Sequence, residues 1–216
     1  MKRKLTILTS VFLLSFCIIG CGVSKEEPLE EIKIASQIWA SKNLNVSHFK
    51  NGDYIIETRN TKEWEKAIKE KTPAWCYYNN EPENGRRYGK LYNGFAVNDP
   101  RGLAPDGWHI PSDSEWRILF ENLGGLDEAG NKIKSNIGWG HSGTETNSSG
   151  FNAFPAGHRF DETDSSFTGL GEHSFFWSSS TYSANQNKTI HLWDQGPIRP
   201  YSDLLNDYLS VRCIKD

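Results

Sequence analysis

The side chains that could do chemistry in this 216-residue chain are six histidines, four cysteines and a few clustered carboxylates. The histidines stand at positions 48, 109, 141, 158, 173 and 191, never at the spacing that presents metal ligands from one helix or loop. His109 lies between Trp108 and Ile110, where a hydrogen bond within the core is the expected role rather than metal binding. Asp161, Glu162 and Asp164 of the run DETDSS offer the clustered oxygens that calcium takes. They lack the spacing of a dedicated calcium loop and read as a solvated acidic turn, so calcium is the one cofactor left open. The chain has no H-E-x-x-H, no G-x-S-x-G elbow and no phosphate loop. Cys76 with a distant histidine makes a poor nucleophile pair, because an isolated cysteine in an apolar run is more often structural. No catalytic residue and no metal ligand is expected.

Recognition chemistry has better candidates. Of the eight tryptophans, Trp39, Trp108, Trp116 and Trp177 have apolar neighbours and are expected to pack in the core. Trp75, Tyr77, Tyr78, Trp139 and Trp193 lie near polar, glycine- or asparagine-rich stretches. Aromatic rings beside amides and carboxylates can stack on a sugar while the polar groups bond its hydroxyls. The competing role for the same five is to cover loops onto the core.

The elements that would position these groups can be read from periodicity and caps. Gly107–Gly125, GWHIPSDSEWRILFENLGG, is the clearest. Ser112 caps a helix with Glu115 reaching back to it, and Trp116, Leu119, Phe120 and Leu123 recur at helical spacing. Gly124-Gly125 ends the helix. Asn60 with Glu63 starts a second helix over Thr61 to Lys71, bearing Trp64, Ala67 and Ile68 on one face. Strands are expected over IKIASQIWA, at Tyr54 to Ile56, Phe151 to Arg159, Phe175 to Ser180 and Thr189 to Asp194. NNEPENGRR reads as a loop, Ala129 to Ser135 as one helical turn, and Ser142 to Gly150 as a long loop. The final run, Tyr208 to Ile214, places Leu209, Val211 and Cys213 on one face.

Before these elements comes a leader. Lys2, Arg3 and Lys4 precede the apolar run Leu5 to Ile19, which is short for a membrane span. Ile18-Ile19-Gly20-Cys21 then matches the bacterial lipobox, in which the cysteine is acylated and becomes the new N-terminus. Residues 1–20 are therefore expected to be a lipoprotein signal peptide and 21–31 a lipidated cysteine with a polar, acidic tether. Residues 32–216 form one domain of sufficient length for a sizeable core. Acylated Cys21 makes a lipid bilayer the first expected partner. Removing the three leader cations takes the formal charge from −3 to −6, and an acidic domain without a basic stripe is not expected to bind nucleic acid. With Cys17 discarded and Cys21 lipidated, Cys76 and Cys213 remain. They are either a disulfide, contributing about 4–5 kcal/mol in the chain-entropy model, or two separately buried thiols.

The domain's signature resembles a known family. It comprises Gln37-Ile38-Trp39, Tyr88-Gly89-x-Leu91-Tyr92-Asn93, Ala104-Pro105-x-Gly107-Trp108-His109-Ile110-Pro111, Glu115-Trp116, Ser149-Gly150-Phe151-x-Ala153, Trp177-Ser178-Ser179-Ser180 and Ser210-Val211-Arg212-Cys213. Its order and spacing resemble the Fibrobacter succinogenes major paralogous domain of Bacteroidetes and Fibrobacteres lipoproteins. Ala104 stands where many members carry cysteine, and His158 where an aromatic is commoner. Pro111 to Trp116 and the ending in Val211-Arg212 are also similar to the formylglycine-generating, sulfatase-modifying proteins. That similarity implies an α+β, C-type-lectin-like domain with paired terminal strands, a small twisted antiparallel sheet, two helices and long irregular loops. Trp108, His109, Pro111, Glu115, Trp116 and Arg212 would be fold-signature positions. The enzymes of that group need a late cysteine pair, whereas the late region here holds Cys213 alone.

These readings lead to a cell-envelope lipoprotein of the outer membrane, surface-exposed or periplasm-facing, acting as a binding module for a glycan or an envelope or host protein. Lys25-Glu26-Glu27 loosely resembles a surface-export signal. The alternative is a structural or assembly protein of the outer envelope without a small ligand, and a formylglycine-generating-like enzyme ranks third.

Overall fold

The computed structural model describes residues 28–140, 143–160 and 167–216. The leader, Cys21, His141 and the acidic positions Asp161, Glu162 and Asp164 lie outside the described residues.

In chain order the elements are β1 (Glu31–Ile34), β2 (Gln37–Ala40), β3 (Ile56–Glu57), α1 (Thr61–Lys69), β4 (Ala74–Cys76), α2 (Pro82–Tyr88), β5 (Leu91–Asn93) and α3 (Gly94–Val97). There follow β6 (Trp108–His109), α4 (Asp113–Asn122), α5 (Leu126–Ile133), β7 (Ala156–Arg159), β8 (Phe167–Leu170), β9 (His173–Ser183) and β10 (Gln186–Trp193). β11 (Arg199–Leu204), β12 (Tyr208–Ser210) and β13 (Ile214–Lys215) complete the chain. The domain is α+β, as expected.

A small sheet of order β1-β2-β13-β6 joins the two ends of the domain. The stretch expected as one strand, IKIASQIWA, folds back on itself at Ala35, whose φ is 53°. Its two halves pair antiparallel, Ile32 opposite Trp39. Trp39 in turn faces Ile214 of β13, and Ile214 faces His109 of β6. The large sheet runs β11-β10-β9-β7-β12-β5-β4-β3, with β8 paired to β7.

Alternation along β9 separates the two sides of this sheet. Phe175 and Trp177 enter one cluster with Trp75, Tyr92, Trp108, Leu209, Val211 and Cys213. Phe176 enters another with Trp39, Trp116, Phe120, Ile133, Phe151, Ile190 and Leu192. The second cluster lies under α4 and α5. Trp116 is fully buried there, with ring centroids 4.8 Å from Trp39, 5.6 Å from Phe176 and 5.8 Å from both Phe120 and Phe151. A third, smaller cluster sets Trp64 and Ala67 of α1 against Cys76, Leu91 and Tyr208.

The caps formed as their residues dictate. Ser112 Oγ accepts from Glu115 N while Glu115 Oε2 accepts from Ser112 N, a complete capping box on α4. The helix ends at Leu123, with Gly124 at φ 98° and Gly125 at φ 91°. Asn60 caps α1 by accepting from Glu63 N. Four stretches depart from expectation. NNEPENGRR is not a loop but contains α2, opened by Pro82, because a proline at the first helical position costs no hydrogen bond. The single turn expected near Ala129 is the longer α5. Strands β8 and β11 were not anticipated.

The final run is divided between the two sheets. Tyr208–Ser210 pairs with β5, Ile214–Lys215 with β6, and Arg212 lies between them. Arg212 is 1% exposed. Its Nε and Nη2 donate to Asn43 Oδ1, and its Nη1 donates to the carbonyls of Ala40 and Phe151. Its guanidinium also stacks over Phe151 at 4.2 Å. Leu209, Val211 and Cys213 do share one buried face, as the alternation implied.

Candidate functional site: the aromatic and histidine face of the large sheet

Four of the five expected ligand-binding aromatics are occupied with the fold itself. Trp75 is buried and donates Nε1 to Ile55 O at 3.1 Å, with the Tyr77 ring edge-on at 5.0 Å. Tyr77 is half-covered and Tyr78 is buried beside Phe167. Trp139 is buried and donates Nε1 to Ala153 O at 3.2 Å. Their polar neighbours turn tightly and direct the rings inward, where the two indole N–H groups find carbonyls. In the structure these four rings pack onto the fold, whereas Trp193 is half-buried among other rings.

Trp193 belongs to a row of rings on one side of the large sheet. Register places Trp193 opposite His173 and His191 opposite both Phe175 and Arg199. Tyr201 of β11 faces Thr189 on the same side. The Phe175 ring stacks between His191 at 3.8 Å and His158 of β7 at 4.5 Å. His173 meets Trp193 edge-on at 4.2 Å, and Tyr201 lies 5.0 Å from His191. Tyr201 is 63% exposed, so the row runs from the buried core to solvent. Beside it a concavity of about 280 Å³ is lined by Phe160, Gln186, Tyr201, Asp203, Leu204 and Asp207, among others.

Polar groups are fixed along this row. His191 Nε2 lies 2.6 Å from Asp203 Oδ2, and Thr189 Oγ1 donates to the same oxygen at 2.5 Å. His191 and Asp203 are both buried at 6% exposure, so the imidazole orientation is set by the carboxylate. Three other polar atoms are buried without a partner among the described residues: Nδ1 of His158, Nδ1 of His173 and Nε1 of Trp193. Buried polar atoms of this kind are uncommon and call for an explanation. Burial is the main cause pushing His158 down to about 3, assisted by His173 and His191, and it lowers His173 as well. Both rings are thus neutral near neutral pH and can donate or accept. No set of three or more His, Cys, Asp or Glu side chains among the described residues is placed to hold a metal ion.

His158, His173, His191, Tyr201 and Asp203 were not anticipated as a group. A signal did exist: His191-x-Trp193 and Tyr201-x-Asp203 each alternate, and paired strands bring such residues to one face. Pro200 and the paucity of apolar residues concealed β11.

One further expectation is corrected here, and one open alternative is decided. His109 does not make a core hydrogen bond. Its side chain is 40% exposed and bridges two carboxylates, Nε2 to Glu115 Oε1 and Nδ1 to Asp216 Oδ1, each at 2.8 Å. Burial alone would lower its pKa, but the bonds to Glu115 and Asp216 outweigh it and raise the value. Cys76 and Cys213 are not bonded: both are free, buried thiols in different clusters. Strands β4 and β13's approach carry them to separate packing environments, and burial pushes each up to about 12. The thiolate that a nucleophile needs is accordingly suppressed.

The remaining signature positions have packing or capping roles. Trp108 and Trp116 are buried, Glu115 completes the capping box, and Pro111 accepts from Ser179 N through its carbonyl. Together they sit in an α+β domain whose two ends close around the buried Arg212. The chain belongs to the Fibrobacter succinogenes major domain family, whose profile matches residues 32–215. No curated protein and no solved structure matches the chain.

Proposed function

We propose that this protein is an envelope-tethered binding module that takes a glycan on the aromatic and histidine face. The observation that carries this reading is the row Tyr201, His191, Trp193 and His173 beside the concavity at Asp203 and Asp207. An exposed ring supplies a platform for the apolar face of a sugar, and imidazoles with a fixed carboxylate supply directional partners for its hydroxyls. Pairing of the terminal strands, with Trp116 and Glu115 of α4 against Trp39 and Gln37 of β2, supports a C-type-lectin-like description of the scaffold. The lipobox at Cys21 supports anchoring at the outer membrane, with the acidic tether as spacer.

The test is a glycan array on the protein, followed by titration of the retained glycan against intrinsic tryptophan fluorescence. Tyr201→Ala should weaken binding by about tenfold or more, equivalent to loss of one stacking contact. Retention of full affinity in that variant would place the ligand elsewhere. A second reading, a structural protein with a protein partner, draws on exposed Tyr54 and Ile56 near the β3 edge of the large sheet. An empty array together with cross-links from that edge would favour it.

A further inference from the structure

On another part of the surface, a groove of about 350 Å³ is lined by cations without a carboxylate. It is formed where the turn after β2, the end of α2, the approach to β7 and the link between β12 and β13 meet. Lys42, Arg86, Arg87 and Arg212 all line it, with Asn152 and Phe154. Part of this charge is compensated outside the groove: Lys42 pairs with Glu30 at 3.2 Å and Arg86 with Glu83 at 3.1 Å. Both are solvent-exposed pairs, of the kind that contributes little and exchanges readily.

Arg87 and Arg212 have no carboxylate partner among the described residues. Arg87 lies over the rings of Tyr88 and Phe154 at 5.4 and 5.6 Å. Arg212 is 1% exposed, and its hydrogen bonds go to two carbonyls and one amide oxygen. Neutral oxygens satisfy a guanidinium's protons but leave its charge unneutralised, which is costly away from water. Burial pushes Arg212 down to about 9, in keeping with that cost.

Helix α2 ends at this place, and cations there also suit the helix dipole. That accounts for Arg86 and Arg87, but not for Lys42 or for a buried Arg212 on separate segments lining the same concavity. The geometry points to a binding site for a small phosphate or sulfate ester, with its oxyanion at the exposed Arg86 and Arg87 guanidiniums, the uncompensated charge of the buried Arg212 behind them, and its organic part against Phe154. Guanidinium forks match tetrahedral oxyanions through paired N–H donors. The groove is larger than an oxyanion alone requires and has an aromatic wall, which suits a ring-sized carrier. A concave single groove also fits one ester better than the plane of a membrane.

The site is independent of the glycan face, and it can be tested separately by calorimetric titration of the full chain with glucose 6-phosphate at fixed ionic strength. Saturable binding is expected, weakened by about tenfold or more in Arg86→Gln/Arg87→Gln, whose exposed side chains can be changed without disturbing the core. Inorganic phosphate should bind more weakly than the ester, and Phe154→Ala should narrow the difference. Absence of saturable binding, or affinity unchanged in the double variant, would overturn the proposal. So would equal binding of inorganic phosphate and the ester, or charge-dependent binding confined to phosphatidylglycerol vesicles. Unaltered far-ultraviolet circular dichroism of the double variant ensures that a loss reports the groove and not unfolding.

Discussion

Two fully buried indoles offer a controlled measurement of what a hydrogen bond contributes in this core. Trp116 and Trp177 are each 0% exposed and each is surrounded by other large side chains. They differ at Nε1. Trp177 donates to Tyr92 O at 2.7 Å, whereas Trp116 Nε1 has no partner among the described residues. Trp→Phe removes comparable volume at both positions, and the packing loss should be about 1–2 kcal/mol, well below the 3–5 kcal/mol of truncation to alanine. At Trp177 the substitution also leaves a buried carbonyl lone pair without its donor, adding about 1 kcal/mol or somewhat more. At Trp116 it removes an unsatisfied donor, which offsets part of the packing loss. Trp177→Phe should therefore be the less stable variant by about 1–2 kcal/mol in urea denaturation followed by circular dichroism. Equal midpoints, or a lower midpoint for Trp116→Phe, would refute the reasoning and indicate that the Trp116 donor is in fact satisfied.

The bridge at His109 predicts a pH dependence. A histidine whose pKa is raised on folding contributes fully below its unfolded value, near 6.5, and loses that contribution as pH rises through the folded value. The melting-temperature difference between the native protein and His109→Gln should thus shrink as pH is raised from 6 to 9; a constant difference would rule out the ionic bridge. Glu115, whose pKa is lowered despite burial by its bonds to Ser112 and His109, behaves oppositely and loses its contribution as pH falls below 4.5 through its folded value. Cys76 and Cys213 should resist a thiol reagent in the native protein at pH 8 and both react after denaturation without reductant, as read by peptide mass spectrometry. A disulfide-linked peptide pair would contradict the two separate thiols.

Local signals were legible wherever the chain's immediate neighbours decide conformation. The α4 capping box needs only Ser112, Glu115 and the backbone between them, and its apolar spacing follows from helical geometry. Pro82 was an equally local signal for α2, obscured by the surrounding Asn, Glu and Gly. The division of the final strand was not legible, since Val211-Arg212-Cys213 contains no turn residue. What bends the path there is the set of oxygens that Arg212 finds on Asn43, Ala40 and Phe151, all remote in sequence. The same limit applies to the candidate site. Trp75 and Trp139 have polar sequence neighbours, yet the carbonyls of Ile55 and Ala153 draw their indoles inside. Trp193 differs from them in the His173, Phe175 and His191 rings set around it and in an Nε1 without a partner among the described residues.

Closure of the small sheet by β13 has a kinetic consequence. Trp39, near the start of the domain, has its strand partner at Ile214, and Ala40 N donates to Cys213 O. The N-terminal hairpin therefore acquires its neighbour only when the last residues arrive, and the intervening chain must be brought together first. Such remote pairing slows the search for the native state. Until then β2 presents an unpaired edge to other molecules. Loss of a few residues from Ile214 onward would leave that edge open permanently, making aggregation rather than lost binding the first sign of damage.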